Sequence, residues 1–224
     1  MGLPPEEMDA RCFEEFVRRR PLGDYTLPRH SLIRGDRVRA MLHRTFADVA
    51  MEELPLSFFC ASADLRTSEL VVQRHGLLRE HVGTSMALPI IGAPQVQGRR
   101  LLVDGSLVDN LPVATMAAMG EGPIIAVDVK ASFERPGAEA SANGGGPPAS
   151  RAARTPLLGE TLTRVLLMAS ASTSEAAERH AALVIRPRSG GVGLLEFHQL
   201  DVAREAGRAA AREVLADPPA FLLG

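Results

Sequence analysis

The feature that most constrains the fold is the stretch at residues 99–112, RRLLVDGSLVDNLP, in which a short apolar run ends in an acid and a glycine. The apolar residues 101–103 predict a short buried strand. Asp104 then stands at the carboxyl end of that strand, where α/β sheets carry their chemistry. Gly105 permits a sharp turn or the close approach of a second segment. The stretch therefore predicts a strand that delivers an acid to a tight turn.

A helix is predicted to begin directly after this turn. Asn110 is a residue type that caps helices, and Pro112 suits a first helical turn because its missing N–H is not needed there. Two interpretations of Asp104 stay open from this stretch alone. The aspartate is either a reacting group or a turn residue that only bonds its own backbone.

Elsewhere, short apolar runs alternate with segments of helical periodicity. Alternation of this kind predicts an α/β domain in helix/sheet/helix layers with a mostly parallel sheet. The turn sequence LRTS between the first two runs predicts a hairpin. The predicted strands are 54–65, 68–75, 101–103, 123–130 and 181–187, and the predicted helices are 5–20, 35–48, 77–83, 111–119, 157–179 and about 199–215.

The length of 224 residues suits one domain with a substantial core, so a single domain over residues 1–224 is expected. Residues 134–156 are rich in Gly, Ala, Ser and Pro. A segment of that composition cannot bury enough apolar surface to order itself, and it predicts a flexible loop.

Composition excludes several classes of function. The net charge of -2, with both signs interspersed, gives no reason to expect a nucleic-acid partner. The two cysteines and six histidines show no metal-ligand spacing, and no dinucleotide or nucleotide loop is present, so neither a metal nor a cofactor is expected. Cys60 in an apolar run indicates a reduced core thiol and a cytoplasmic protein.

Membrane contact is a separate question. No apolar run reaches the length of a membrane span. The arginines at 18–20 are best interpreted as a solvated helix end, and a grip on anionic lipid headgroups is the alternative. A peripheral position at the membrane surface therefore stays open.

Acyl transfer would need a nucleophile beside Asp104. A GxSxG elbow, which exposes a serine on a strand-to-helix turn, is absent from the sequence. Residues 83–87, GTSMA, come nearest, but they follow a helical pattern and precede Pro89, so Ser85 is a poor candidate. His198, in an apolar-flanked loop, is interpreted as structural. Asp128, at the end of another predicted strand, is also interpreted as structural.

With these residues in hand, the chain resembles the C-terminal part of a patatin-like phospholipase domain. It is most similar to the bacterial relatives of the neuropathy target esterase group. The resemblance is carried by SLIRGDRVRAMLHRTFAD, MEELPLSFFCASADLRTSELVVQRHG, GRRLLVDGSLVDNLPV, IIAVDV, LGETLTRVLLMAS and GVGLLEFHQLDVAREAGR, and it covers nearly the whole chain apart from the low-complexity loop.

The resemblance implies a patatin-like α/β fold and a Ser–Asp dyad that hydrolyses esters of phospholipids and lysophospholipids. It implies that Asp104 is the dyad aspartate, which orients and deprotonates the nucleophile. In the family, the aspartate is followed by Gly and then by Gly or Ala, whereas this chain has Gly105 and then Ser106. The implied substrate is a lipid or lysophospholipid, without a cofactor.

In that family, the glycine-rich oxyanion loop and the GxSxG elbow precede the region matched here. The chain is therefore expected to hold only the aspartate half and to have little or no lipase activity alone. One hypothesis is an enzyme whose serine half comes from a longer reading frame or a separate chain. The alternative is a non-catalytic remnant, or a module of the same fold that binds lipid or protein. A weaker third possibility is a hydrolase in which Asp104 activates water directly.

Overall fold

The computed structural model describes residues 2–27, 29–129, 179–189, 192–193 and 195–223. These residues fall into two compact units, Met1–Asn110 and Leu111–Gly224. The predicted low-complexity loop at 134–156 and all but the end of the predicted helix at 157–179 lie outside the described residues.

Three helices of the first unit match the predicted helical periodicity. α1 spans Pro5–Cys12 and continues as a π-helical stretch over Phe13–Arg18. α2 spans Asp36–Phe46 and buries Met41 and Leu42, as the spacing of its apolar residues predicts. α3 spans Leu78–Ser85. None of the helices within the described ranges has the length and apolarity needed to cross a bilayer.

A four-stranded sheet forms the centre of the first unit. Its strands are β1 (Cys60–Asp64), β2 (Glu69–Gln73), β3 (Gln95–Gln97) and β4 (Arg100–Asp104), in the spatial order β2-β1-β4-β3. Every pairing in this sheet is antiparallel. The hairpin predicted at LRTS is confirmed, since β1 and β2 flank that turn. The strand predicted over 54–65 forms only in its second half.

The expectation of a mostly parallel sheet is not confirmed by the described strands. β1 and β2 are joined by four residues, and β3 and β4 by two. Connections that short permit only antiparallel pairing, because a parallel pair needs a long crossover. Alternation of strands and helices along the chain did not reveal this, since α2 and α3 do not connect parallel neighbours.

The two central strands are buried on both faces. Leu102 and Val103, adjacent on β4, point to opposite faces and are both 0% exposed. On the face of β1 that carries Cys60, a cluster of Met51, Cys60 and Leu78 is covered by Phe46, Leu54 and Val82. The core therefore anchors the end of β4 that carries the predicted site.

The second unit contains α4 (Val113–Ala117), β5 (Ile125–Val127), β6 (Leu183–Ile185) and α5 (Leu200–Leu215). β5 and β6 form a parallel pair. Val113 and Ala126 form a small core against Leu111, Ile124, Ala181 and Val184. The predicted strands at 123–130 and 181–187 and the last predicted helix are confirmed.

The prediction that Asn110 caps the next helix is wrong. α4 begins at Val113, and Pro112 occupies the capping position without a side-chain hydrogen bond. The Val113 N–H donates instead to the Leu111 carbonyl at 2.7 Å, which closes a tight turn. Leu111 and Pro112 lie in this turn, between Asn110 and the start of α4. Asn110 is therefore too far from the first turn of α4 to cap that helix.

Candidate active site

Asp104 ends β4, as the sequence predicts, and its side chain closes a turn. The carboxylate Oδ1 accepts the Ser106 N–H at 2.8 Å, and a short 3₁₀ turn over Gly105–Leu107 follows. The Asp104 backbone N–H donates to the Ala87 carbonyl at 3.0 Å. The hydrogen bond from the Ser106 N–H is the one that the turn interpretation of Asp104 requires. The carboxylate has lone pairs beyond the one used by the turn.

Gly105 lies against the backbone of the neighbouring strand. A Cβ atom placed on it would stand 2.4 Å from the Ala61 carbonyl oxygen and 2.7 Å from its carbonyl carbon. Only glycine fits there, because no backbone atom can yield without moving β1. The sequence predicted that Gly105 would permit a sharp turn or the close approach of a second segment. The structure shows that close approach, and the contact holds Asp104 beside β1.

The carboxyl group of Asp104 is partly desolvated. Burial raises its pKa above the ordinary value, and hydrogen bonds from the backbone and side chain of Ser106 oppose that rise. A carboxylate with an elevated pKa is a better proton acceptor than a solvated one.

A buried polar pair lies next to Asp104 on the same face of the sheet. Ser62, on β1, stands directly opposite Asp104 and is 0% exposed. The Ser62 hydroxyl is hydrogen-bonded to the amide of Gln73, with its oxygen 3.1 Å from Nε2 and 3.3 Å from Oε1. Sequence reasoning missed both residues. The alternation in CASAD signals which side chains share a face, but only the strand register shows what stands opposite.

Ser85 is the last residue of α3, two residues before the carbonyl that binds the Asp104 backbone. Ser85 therefore follows a helix and not a strand, so residues 83–87 do not form a strand-to-helix elbow. Its neighbour Thr84 is 2% exposed and donates its hydroxyl to the Glu80 carbonyl at 2.8 Å. The structure brings the end of α3 to Asp104 through backbone contact, and it shows no bond between Ser85 and the carboxylate.

The other residues singled out by sequence take ordinary positions. Asp128 is 6% exposed and its Oδ2 lies 3.7 Å from Arg186 Nε, which fits the structural role predicted for it. His198 is exposed. Within the described part of the chain, no three His, Cys, Asp or Glu side chains stand together as a metal site would require.

A cavity of about 670 Å³ lies in the first unit. It is lined by α2, α3, the segment after α3, and β3, with Leu42, Thr84, Met86 and Val96 among its walls. Asp104 does not line it. Ala87, whose carbonyl accepts the Asp104 N–H, is one of its lining residues.

Comparison with known proteins gives this geometry a context. The model of the patatin-like phospholipase family matches residues 2–117, a range that contains β1 to β4 and the turn after Asp104. The chain is also similar to curated bacterial and fungal proteins.

An uncharacterized NTE family protein of Mycobacterium tuberculosis (strain ATCC 25618 / H37Rv) is 34% identical over 233 residues, which cover 98% of this chain and 39% of that protein. Lysophospholipase NTE1 of Mycosarcoma maydis is 29% identical over 202 residues, 86% of this chain and 11% of that protein. The enzyme of the same name from Candida glabrata is 27% identical over 197 residues, 84% of this chain and 11% of that protein. The chain thus spans about two fifths of the mycobacterial protein and a smaller share of the fungal ones. On the match of the family model and the mycobacterial similarity, the chain belongs to the patatin-like phospholipase family.

Proposed function

We propose that this chain contributes the aspartate of a Ser–Asp dyad that hydrolyses acyl esters of phospholipids or lysophospholipids. The observation that carries the proposal is the setting of Asp104. It ends a buried strand, is held on one oxygen by its own turn, and is desolvated enough to raise its pKa. Membership of a phospholipase family and the fungal lysophospholipase relatives support the choice of substrate.

In the proposed reaction, Asp104 takes the proton of a serine hydroxyl as that oxygen attacks the ester carbonyl. The proton then passes to the departing alcohol, and water releases the acyl group from the serine in a second step. The chain has no GxSxG elbow. We therefore place the serine and the oxyanion donors on another polypeptide segment, either in a longer protein or in a separate partner chain.

The alternative is a non-catalytic module of the same fold that binds lipid or protein. The feature that favours it is the absence of a GxSxG elbow from the sequence, since Ser85, in the nearest match, ends a helix. The two proposals differ in what they expect of Asp104, because only the catalytic one requires its carboxylate.

The first test is hydrolysis of a nitrophenyl ester and a lysophospholipid by the purified chain and its Asp104→Ala and Ser85→Ala variants. The expected result is no or very weak turnover in all three. Activity that both substitutions abolish would make Ser85 the nucleophile and contradict the proposal. Activity that only Asp104→Ala abolishes would favour direct activation of water.

The second test supplies the missing groups. This chain replaces its aligned segment in the mycobacterial relative, which is longer and matches 98% of the chain. The chimera is expected to hydrolyse lysophospholipid, and Asp104→Ala in that chimera to reduce kcat by about 10³-fold or more. An active chimera that tolerates Asp104→Ala would overturn the catalytic role and leave the binding module.

A further inference from the structure

Residues 24–27 and 29–34 form two short antiparallel segments, which we call the 24–34 hairpin. A bridge between Tyr25 and Ile33 joins the two segments. They have different surroundings, since Ile33 is buried and Tyr25 is exposed. One segment therefore anchors the hairpin in the first unit, and the other faces solvent.

Hydrogen bonds fix the buried segment in place. The Leu32 N–H donates to the Ile90 carbonyl at 2.7 Å, and the Ile33 N–H donates to the Ile91 carbonyl at 3.2 Å. The Ser31 hydroxyl donates to the Ile33 carbonyl at 2.6 Å. The exposed segment is thus carried on a fixed support, which lowers the ordering cost of binding a partner there.

The exposed segment carries large apolar side chains. Tyr25 and Leu27 stand two residues apart, and alternation along a paired segment sends such side chains to the same side. Their exposed fractions are 78% and 84%. Ile90, whose carbonyl is bonded to the hairpin, is a third exposed apolar residue. Exposed apolar residues that are grouped in this way mark a contact surface.

The hairpin lies in a strongly basic part of the chain. Residues 18–39 hold seven arginines and two acids, in a chain whose net charge is -2. Asp24, one of the acids, is buried and its carboxylate accepts the Arg37 N–H at 3.2 Å. Asp36, the other acid, forms an ion pair with Arg39. The exposed surface of this stretch is therefore dominated by arginine.

Three of these arginines, Arg20, Arg29 and Arg37, form no ion pair within the part of the chain that the structure describes. Arg29 follows the exposed segment, and its N–H donates to the Leu27 carbonyl at 2.8 Å. Arg20 opens the turn before the hairpin, where its carbonyl accepts the Gly23 N–H at 3.0 Å. Arg37 lies against the same turn, since a Cβ atom placed on Gly23 would stand 2.7 Å from its Nη1. Cations without a partner thus flank the apolar segment on both sides.

The arginines at 18–20, which the sequence offers as a grip on lipid headgroups, are not equivalent. Arg18 and Arg19 both form ion pairs with Glu14, at 3.4 Å and 3.2 Å. Arg20 stands apart from these pairs. The free positive charge is therefore at the hairpin and not along the helix end.

We propose that the 24–34 hairpin docks this chain on a bilayer that contains anionic phospholipid. Tyr25 and Leu27 enter the boundary between the headgroups and the acyl chains, and the three unpaired arginines bind lipid phosphates. An apolar surface that enters this boundary, with cations at the level of the headgroups, is how proteins lie on anionic membranes. Tyrosine suits the boundary because its ring is apolar and its hydroxyl is polar.

Charge complementarity favours a lipid surface over an apolar protein partner. Arginines without an ion pair lose hydration when they are buried against apolar protein, whereas an anionic bilayer offers a phosphate to each of them. Their long side chains can also reach the headgroups while the apolar residues lie deeper. The docking surface goes beyond the proposed reaction, because binding to a membrane needs neither Asp104 nor a serine.

The test is co-sedimentation of the full 224-residue chain with vesicles of phosphatidylcholine and with vesicles of phosphatidylcholine and phosphatidylserine in equal amounts. Binding is expected only with phosphatidylserine. Leu27→Gln is expected to weaken that binding by about tenfold or more, because it removes buried apolar area. Arg29→Gln is expected to weaken it by about fivefold.

Two matched controls lie outside the hairpin. Leu56→Gln changes a leucine that is 80% exposed, and Arg212→Gln changes an exposed arginine of α5. Neither is expected to alter binding. Leu27 and Arg29 are exposed, so their substitutions leave the folded core intact, and thermal unfolding checks this.

A second readout locates the contact on the hairpin. Tyr25 is the single tyrosine of a chain without tryptophan, so tyrosine fluorescence reports on the hairpin alone. Vesicles with phosphatidylserine are expected to protect this fluorescence from quenching by acrylamide.

Three results would overturn the proposal: no binding to either vesicle, bound chain with unprotected Tyr25, or equal losses in Leu27→Gln and Leu56→Gln. None of these measurements depends on turnover. Failure of the catalytic role is instead seen in the chimera, as activity that survives Asp104→Ala.

Discussion

At the scale of single residues, the candidate site depends on one close approach. Gly105 touches the backbone of β1, and this contact sets the distance between the turn and the strand that carries Ser62. A side chain at this position would act on both the stability of the sheet and the position of the acid.

Gly105→Ala is expected to lower the free energy of unfolding by about 1–3 kcal/mol, because its Cβ would overlap the Ala61 carbonyl. Urea unfolding measures the change. The control is Gly207→Ala in α5, where an added Cβ meets nothing within 4 Å. That control is expected to be neutral or to stabilise by about 0.5–1 kcal/mol. Equal effects of the two substitutions would contradict the packing argument.

The raised pKa of Asp104 predicts a pH-dependent effect of Asp104→Asn. Burial favours the protonated carboxyl in the folded chain, so its contribution to stability is complete at acid pH and is lost as the pH rises through the folded pKa. Asparagine keeps the turn acceptor but cannot ionise. Relative to wild type, the variant is therefore expected to be more stable at about pH 7 than at about pH 4. Urea unfolding at both pH values decides this, and a relative gain at acid pH would contradict it.

At the scale of elements, the β1–β2 hairpin is the part that local sequence describes best. Its turn, at residues 65–68, ends in Ser68 with a φ of 59°, in the left-handed region. The Ser68 N–H donates to the Asp64 carbonyl at 2.8 Å, which closes the turn. The turn pairs the strands correctly even though a serine occupies a position that favours glycine.

Ser68→Gly is expected to stabilise the chain by about 0.5–1 kcal/mol, since it removes left-handed strain at some entropic cost. Thr67→Gly is the control in the same turn, where φ is not positive, and it is expected to destabilise. Thermal unfolding of both variants checks the pair. A loss of stability in Ser68→Gly would show that the turn does not carry this strain.

At the scale of the whole molecule, the first unit leaves several large apolar side chains in water. The exposed fractions are 78% for Tyr25, 84% for Leu27, 80% for Leu56 and 75% for Val96. Val96 lies on β3, the outer strand of the described four-stranded sheet. An exposed edge strand leaves backbone N–H and C=O groups unpaired, and these can pair with the edge of another copy of the chain.

We expect the isolated chain to self-associate as its concentration rises, and Val96→Lys to weaken that association because a charge on an edge strand opposes further pairing. Sedimentation velocity over a range of concentrations measures it. Val96→Ile adds no charge to the edge strand and serves as the control. A chain that stays monomeric at every concentration would contradict the expectation.

Local sequence by itself determined most of the elements of this protein. Periodicity located α2, α3, α5 and the strand that ends at Asp104, because these segments carry their own pattern of buried and exposed positions. The Asp-Gly pair predicted the turn. The helical pattern before Ser85 and Pro89 after it argued against Ser85 as a nucleophile.

Only the tertiary structure decided how β4 pairs with β1 and β3 and what stands beside the acid. Periodicity shows which residues share a face but not which strand lies next to it, so the antiparallel sheet was missed. Ser62 and Asp104 are 42 residues apart in sequence and directly opposite in the sheet. That pairing depends on register, and register is fixed by packing between segments distant in the chain.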